Sequence, residues 1–99
     1  MLKLIKAKII ARKTTKVILQ KEIPMINELI EKASEDGKFY VSINFNDYSH
    51  STRILLRKAG YKVEYSSISW SHLSVAIDEN EKELMQIAKD AGVEIVEVQ

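Results

Sequence analysis

Residues 37 to 70 read GKFYVSINFNDYSHSTRILLRKAGYKVEYSSISW, and the fold class turns on how this stretch is read. Phe39, Val41, Ile43 and Phe45 alternate with Tyr40, Ser42, Asn44 and Asn46, the period of two expected of a half-buried strand. Asn46-Asp47-Tyr48-Ser49 is a polar turn whose Ser or Asp can cap the helix that follows. Over residues 50–59 that helix sets Ile54, Leu55 and Ala59 on one side, with Arg53, Arg57 and Lys58 mostly outside. Gly60 stops it. Tyr61, Val63 and Tyr65 then alternate with Lys62 and Glu64 as a second strand, and Ser66-Ser67 turns into a third strand spanning Ile68 to Ile77.

Downstream, Asp78 followed by Glu81 has the spacing of a capping box, so a helix should begin there. Leu84, Ile87, Ala88 and Ala91 form its apolar face, Gly92 closes it, and Val93 to Val98 reads as a last strand. Upstream, Met25, Ile26, Leu29, Ile30 and Ala33 mark an amphipathic helix that ends at Asp36-Gly37. Pro24 is expected to break the chain or occupy that helix's first turn, where its missing N–H costs nothing. Residues 2–21 fit a helix by their Lys, Ala, Leu and Gln content. They also fit a hairpin, with Ile9-Ile10 and Val17-Ile18-Leu19 flanking Arg12 to Thr15.

The expected fold is α+β. A ferredoxin-like split-βαβ sheet, ordered β-α-β-β-α-β from residue 38, follows an N-terminal helical region. In that architecture the first and third strands are central and one sheet face is open. The 99 residues suit a single domain, with 1–36 as the helical region and 37–99 as the sheet unit.

Composition narrows the chemistry. Cysteine is absent, which excludes disulfides and thiolate metal sites. The lack of cysteine fits a reducing cytoplasm, and apolar runs reach only three residues, far short of a membrane span, so no membrane partner is expected. The net charge of +1 is unevenly spread. Lys3, Lys6, Lys8, Arg12, Lys13, Lys16 and Lys21 occupy the first 21 residues with no acid, while the remainder carries eight basic against fourteen acidic residues. Such a split suits a polyanion-binding arm, a homo-oligomer in which opposite ends meet, or a plain solvated face.

No constellation points to catalysis. The three glycines are isolated helix stops, and His50 and His72 lack metal-ligand spacing. Ser49, His50 and Asp47 are adjacent in sequence, which is not triad geometry. The chain is therefore expected to be non-enzymatic and to need no cofactor or metal. The open sheet face is the sharper candidate. Tyr40 opposite Trp70 or His72 would make a stacking platform for a base, a contact worth about 1–3 kcal/mol. Burial in a core or an interface is the commoner fate of such aromatics.

Taken together, IxELIEKASEDGKFYVSI, a short helix closing on KAGYKV, and ISW resemble a group of small proteins of tailed bacteriophages. The matching residues are Ile26, Leu29, Ile30, Ala33, Gly37, Lys38, Gly60, Tyr61, Val63, Ile68, Ser69 and Trp70. Ala7, Lys8, Ala11 and Arg12 are similar to that group's N-terminal helix, which favours the helical reading of residues 2–21. The resemblance spans residues 7–70, and this chain departs from it by continuing past Trp70. It implies a phage protein acting by binding in an infected bacterial cytoplasm. The first expectation is that it counters host defence by sequestering a nucleotide-derived signal in an oligomer, with a host defence protein as another partner. A single-stranded nucleic-acid module and a virion or assembly protein are the alternatives. Ligand contacts would come from Arg12, Lys13, Thr14 and Thr15 in the basic segment and from Tyr40, Ser69, Trp70 and His72 in the sheet.

Overall fold

A computed structural model describes residues 2–70 and 79–97. Its spine is a single helix, α1, from Leu2 to Glu35. Thirty-four residues at 1.5 Å each give roughly 51 Å, and the molecule's longest axis is 52 Å. The hairpin reading of residues 2–21 is thereby overturned, and so is a break at Pro24. Leu19, Ile23, Ile26, Ile30 and Ala33 all lie buried along one side of α1, at alternating spacings of four and three. Burying a large aliphatic side chain is worth about 1.5–3 kcal/mol, so four of them outweigh the roughly 3 kcal/mol that an interior proline costs. Pro24 sits on the exposed side. Met25 and Leu29, assigned to the apolar face from spacing, are exposed, because the buried seam runs through Ile23 and Ile26 instead.

Gly37, with φ of 76°, ends the helix in a left-handed cap: its N–H donates to Ser34 O and that of Lys38 to Ala33 O. Strand β1 is short, Tyr40–Ser42. Val41 and Ile43 pack against the core, but Phe39 is 75% exposed at the sheet's end, and Phe45–Asp47 form a 3₁₀ turn rather than more strand. Helix α2, His50–Lys58, starts as expected at Ser49, whose Oγ accepts from the Thr52 N–H. Its buried side is Thr52, Leu55 and Leu56; Ala59 is exposed. Strands β2 (Tyr61–Val63) and β3 (Ser67–Trp70) form a hairpin closed by the Glu64 N–H donating to Ser67 O. Helix α3 spans Glu79–Ala91, with Leu84 and Ala88 buried.

The sheet is antiparallel with order β1-β3-β2. Strand β3 is central as expected, whereas β1 is an edge in the described sheet. The expected last strand makes no ladder over residues 93–97. The protein is thus α+β, a long helix with a three-stranded antiparallel sheet and two further helices, and not a clear ferredoxin-like fold. The expected continuation of β3 through residues 71–77, His72 and the Asp78 cap lie outside the described residues.

Three side chains tie the other elements to α1. Glu22 Oε1 accepts from the Ser49 N–H (2.5 Å) and from the hydroxyl of fully buried Thr52 (3.2 Å), placing a carboxylate at the start of α2 where the helix dipole favours it. Arg12 Nε and Nη2 both donate to Glu83 Oε1 of α3, at 2.9 and 2.6 Å. Gln20 Nε2 donates to Ala91 O at α3's other end. Both contacts link residues 71 apart in sequence, so α1 and α3 run parallel in a fixed register. Glu22→Ala leaves the Ser49 N–H and Thr52 hydroxyl without their acceptor and should cost about 1–3 kcal/mol in urea unfolding. Glu22→Gln keeps an acceptor and should cost less; equal losses in the two variants would assign the effect to packing.

Candidate functional site

Over residues 93–97 the chain joins no sheet ladder but runs beside α1. The Asn27 side chain brackets it as a strand neighbour would: Nδ2 donates to Glu94 O and Oδ1 accepts from the Val96 N–H, both at 2.8 Å. The Tyr61 hydroxyl of β2 donates to Val96 O, and Ile95 is buried between these anchors. Burial, and then the charge of Glu97, push the Tyr61 phenol above its ordinary value. The proton it donates is therefore retained through the usual phenol range. This segment reads as a strand because an extended chain with one buried side carries the same period of two whether backbone or side chains satisfy it.

Placed there, the segment walls a cleft of about 770 Å³ against α2 and α3. The floor is apolar, formed by Ile23 of α1, Leu55 and Ala59 of α2, Met85 and Ala88 of α3, and Val93 and Ile95. Lys58, Lys82 and Lys89 stand around it, with Glu94 and Glu97 along the C-terminal wall. Lys82, Gln86 and Lys89 recur at helical spacing, so α3 turns one polar stripe toward the cleft while Leu84 and Ala88 enter the core. The Lys58 side chain is almost fully enclosed and pairs with Glu81, which holds the end of α2 against α3. With Lys58 held by Glu81, an apolar floor flanked by the ammonium groups of Lys82 and Lys89 suits an amphipathic anion. None of these lysines stands out in sequence. They come from two helices, and only the turn of the chain at Gly92 brings the walls together.

The residues expected to form a site lie in three places. Arg12 and Lys13 line a smaller cavity of about 190 Å³ at the α1–α3 seam, with Lys16, Glu83 and Asp90. Thr15 Oγ1 donates to Ala11 O, and Thr14 is exposed. Tyr40 and Ser69 are cross-strand partners, so they share one sheet face with Lys62; Tyr40 is 53% exposed there. Trp70 is on the other face. The register pairs Tyr40 with Ser69 and Trp70 with Tyr61, whose ring it meets edge-on at 5.8 Å, and the indole Nε1 donates to Lys38 O. The Tyr40–Trp70 platform therefore does not exist, since a shift of one position moves a side chain to the opposite face. The helical region covers the inner face, leaving the outer one open among the described residues. Nor do the basic and sheet groups meet within one chain, for roughly 35 Å of helix axis separates Arg12 from Glu35.

Among the described residues, no group of three or more His, Asp or Glu is placed to hold a metal. No described helix is long and apolar enough to cross a membrane. The chain matches no protein-family model, no curated protein and no solved structure.

Two titrations test these contacts. The Arg12 hydrogen bond, then the Arg12 and Lys8 charges, hold the Glu83 carboxyl below the usual carboxylate range. The pair's contribution is thus present above the ordinary value and fades as pH falls through the depressed one. An NMR titration of Glu83 should show a midpoint that moves upward in Arg12→Gln. The raised Tyr61 value has the opposite sense: docking of residues 93–97 persists below the ordinary phenol range and weakens as pH rises through the raised value. Tyr61→Phe should remove that alkaline dependence and speed amide exchange at residues 93–97. Unchanged exchange would place the anchor elsewhere.

Proposed function

We propose that the protein acts by binding, and that its ligand is a small anion of the nucleotide class held in the cleft between α2, α3 and residues 93–97. The observation carrying this reading is the cleft's chemistry: an apolar floor able to take a flat base, flanked by Lys82 and Lys89 for phosphate oxygens. Its volume falls within the range usual for small-molecule sites. The resemblance of residues 7–70 to small phage proteins supplies the biological context. In that context a binder without catalysis counters host defence inside the infected cell by holding a nucleotide-derived signal out of circulation. This relocates the ligand from the sheet and the basic segment to the cleft, because Trp70 faces inward and Arg12 is committed to Glu83.

A thermal-shift screen of the full chain against linear and cyclic nucleotides tests the reading. A ligand that binds only the native state stabilises it by about 2.7 kcal/mol at a hundredfold excess over its Kd, which is easily seen in a chain this small. Lys82→Glu with Lys89→Glu should abolish the shift while leaving the fold intact, since both side chains are on the exposed side of α3. A screen in which no nucleotide gives a saturable shift removes the proposal. So does a shift that survives both charge reversals.

A further inference from the structure

The side of α1 facing away from the core carries a pattern that the cleft does not use. Lys6, Lys13 and Lys21 lie along it in the N-terminal half, Lys13 at the edge where it also borders the small α1–α3 cavity, with Ile10 and Val17 between them, 55% and 64% exposed. After Pro24 the same stripe continues as Glu28, Glu31 and Glu35. Steps of four and three residues link all of these positions, so they form one line along the helix. That line lies opposite the buried seam of Leu19, Ile23, Ile26 and Ile30, and every residue on it is exposed. Among the described residues, none of the six charged side chains makes an ion pair within the chain. The stripe is thus basic over one half and acidic over the other.

We infer that this stripe is an interface with a second copy of the chain, packed antiparallel about a two-fold axis near Gln20 and Lys21. The reason is self-complementarity. Seven residues separate Lys6 from Lys13, and seven separate Glu28 from Glu35. An antiparallel register that sets Lys6 against the partner's Glu35 therefore also sets Lys13 against the partner's Glu28. Two-fold symmetry repeats both pairs, giving four interchain pairs from one register. The same register places Val17 against the partner's Pro24, an apolar contact on each side of the axis. A parallel arrangement brings lysine to lysine and glutamate to glutamate, and is opposed throughout. A nucleic acid would use the basic half and be repelled by the acidic one, whereas a second copy answers Lys6 and Lys13 together with Glu28 and Glu35, leaving Glu31 opposite Ile10 and Lys21 beside the axis. The globular body lies on the far side of α1 in each copy and does not obstruct the approach. The pairing is independent of any ligand in the cleft.

Sedimentation velocity on the full chain, across a dilution series at low and high salt, reads this out. The expected result is a dimer that dissociates on dilution and more readily at high salt, because exposed pairs are screened. Glu28→Lys with Glu35→Lys leaves Glu31 as the one acid on a basic stripe, and Lys6→Glu with Lys13→Glu leaves Lys21 as the one cation on an acidic one. Each variant alone should be monomeric at concentrations where the parent chain is dimeric. Mixed in equal amounts they should form a heterodimer, since every opposed pair is then of unlike charge. All four positions are exposed, and circular dichroism verifies that the helix is retained; the milder Glu28→Gln with Glu35→Gln should weaken the dimer at least tenfold. A parent chain that is monomeric at every concentration overturns the inference, as does a mixture of folded variants that stays monomeric. Oligonucleotide binding lost in the acidic variant and strengthened in the basic one, without any dimer, would assign the lysines to a polyanion instead.

Discussion

Everything in this protein is referenced to one side of one helix. The Leu19–Ile23–Ile26–Ile30 seam fixes the rotation of α1 against the body, and that rotation decides what each remaining side chain can reach. Glu22 then falls at the start of α2, Gln20 at the end of α3, and Asn27 beside the chain after Gly92. These polar contacts contribute little individually, on the order of 1 kcal/mol each. They give position more than stability. Turn the helix by one residue and the seam leaves the core, taking all three contacts with it.

The fold was legible in sequence where the signal is local. Gly37, Gly60 and Gly92 signal helix stops, and all three adopt positive φ. Ser49 caps α2, and the apolar face of α3 follows its spacing. Errors arose where distant residues decide. Pro24 carries a strong local signal to stop, but burial on the opposite side of the helix overrides it. The face taken by Trp70 depends on which residue of β3 opposes Tyr40, and sequence alternation does not specify that register. Residues 93–97 have the pattern of a strand, yet the groups that satisfy their backbone are an asparagine in α1 and a tyrosine in β2.

The candidate site was illegible for a related reason. Sequence reading weights clusters, and the densest cluster of cations is at residues 3–21. Within the fold part of that cluster is already answered: Arg12 is held by Glu83, and Lys16 shares a small cavity with Asp90. The lysines that flank the larger cleft's apolar floor, Lys82 and Lys89, each sit beside an acid in sequence. Their common property is spatial. They surround apolar surface that the fold leaves uncovered, and a cation over apolar surface differs chemically from a cation on a solvated face, because less water competes for its partner.

Charge along α1 can be sorted by the same geometry. On the inner side Arg12 pairs with Glu83 and Lys16 borders a cavity with Asp90, so the acids of α3 answer part of that side's charge within one chain. Cations on the outer side have no such partner among the described residues, yet the acids that could match them lie further along the same helix face. A rigid helix cannot fold back on itself, so Lys6 and Glu35, roughly 44 Å apart at 1.5 Å per residue, never meet within one copy. An isolated chain therefore keeps a separated pair of charged ends that its own fold cannot close. Antiparallel contact with an identical helix closes it, and it does so on the side of α1 away from Ile23 and the cleft. Association and ligand binding can thus share one helix without sharing a face.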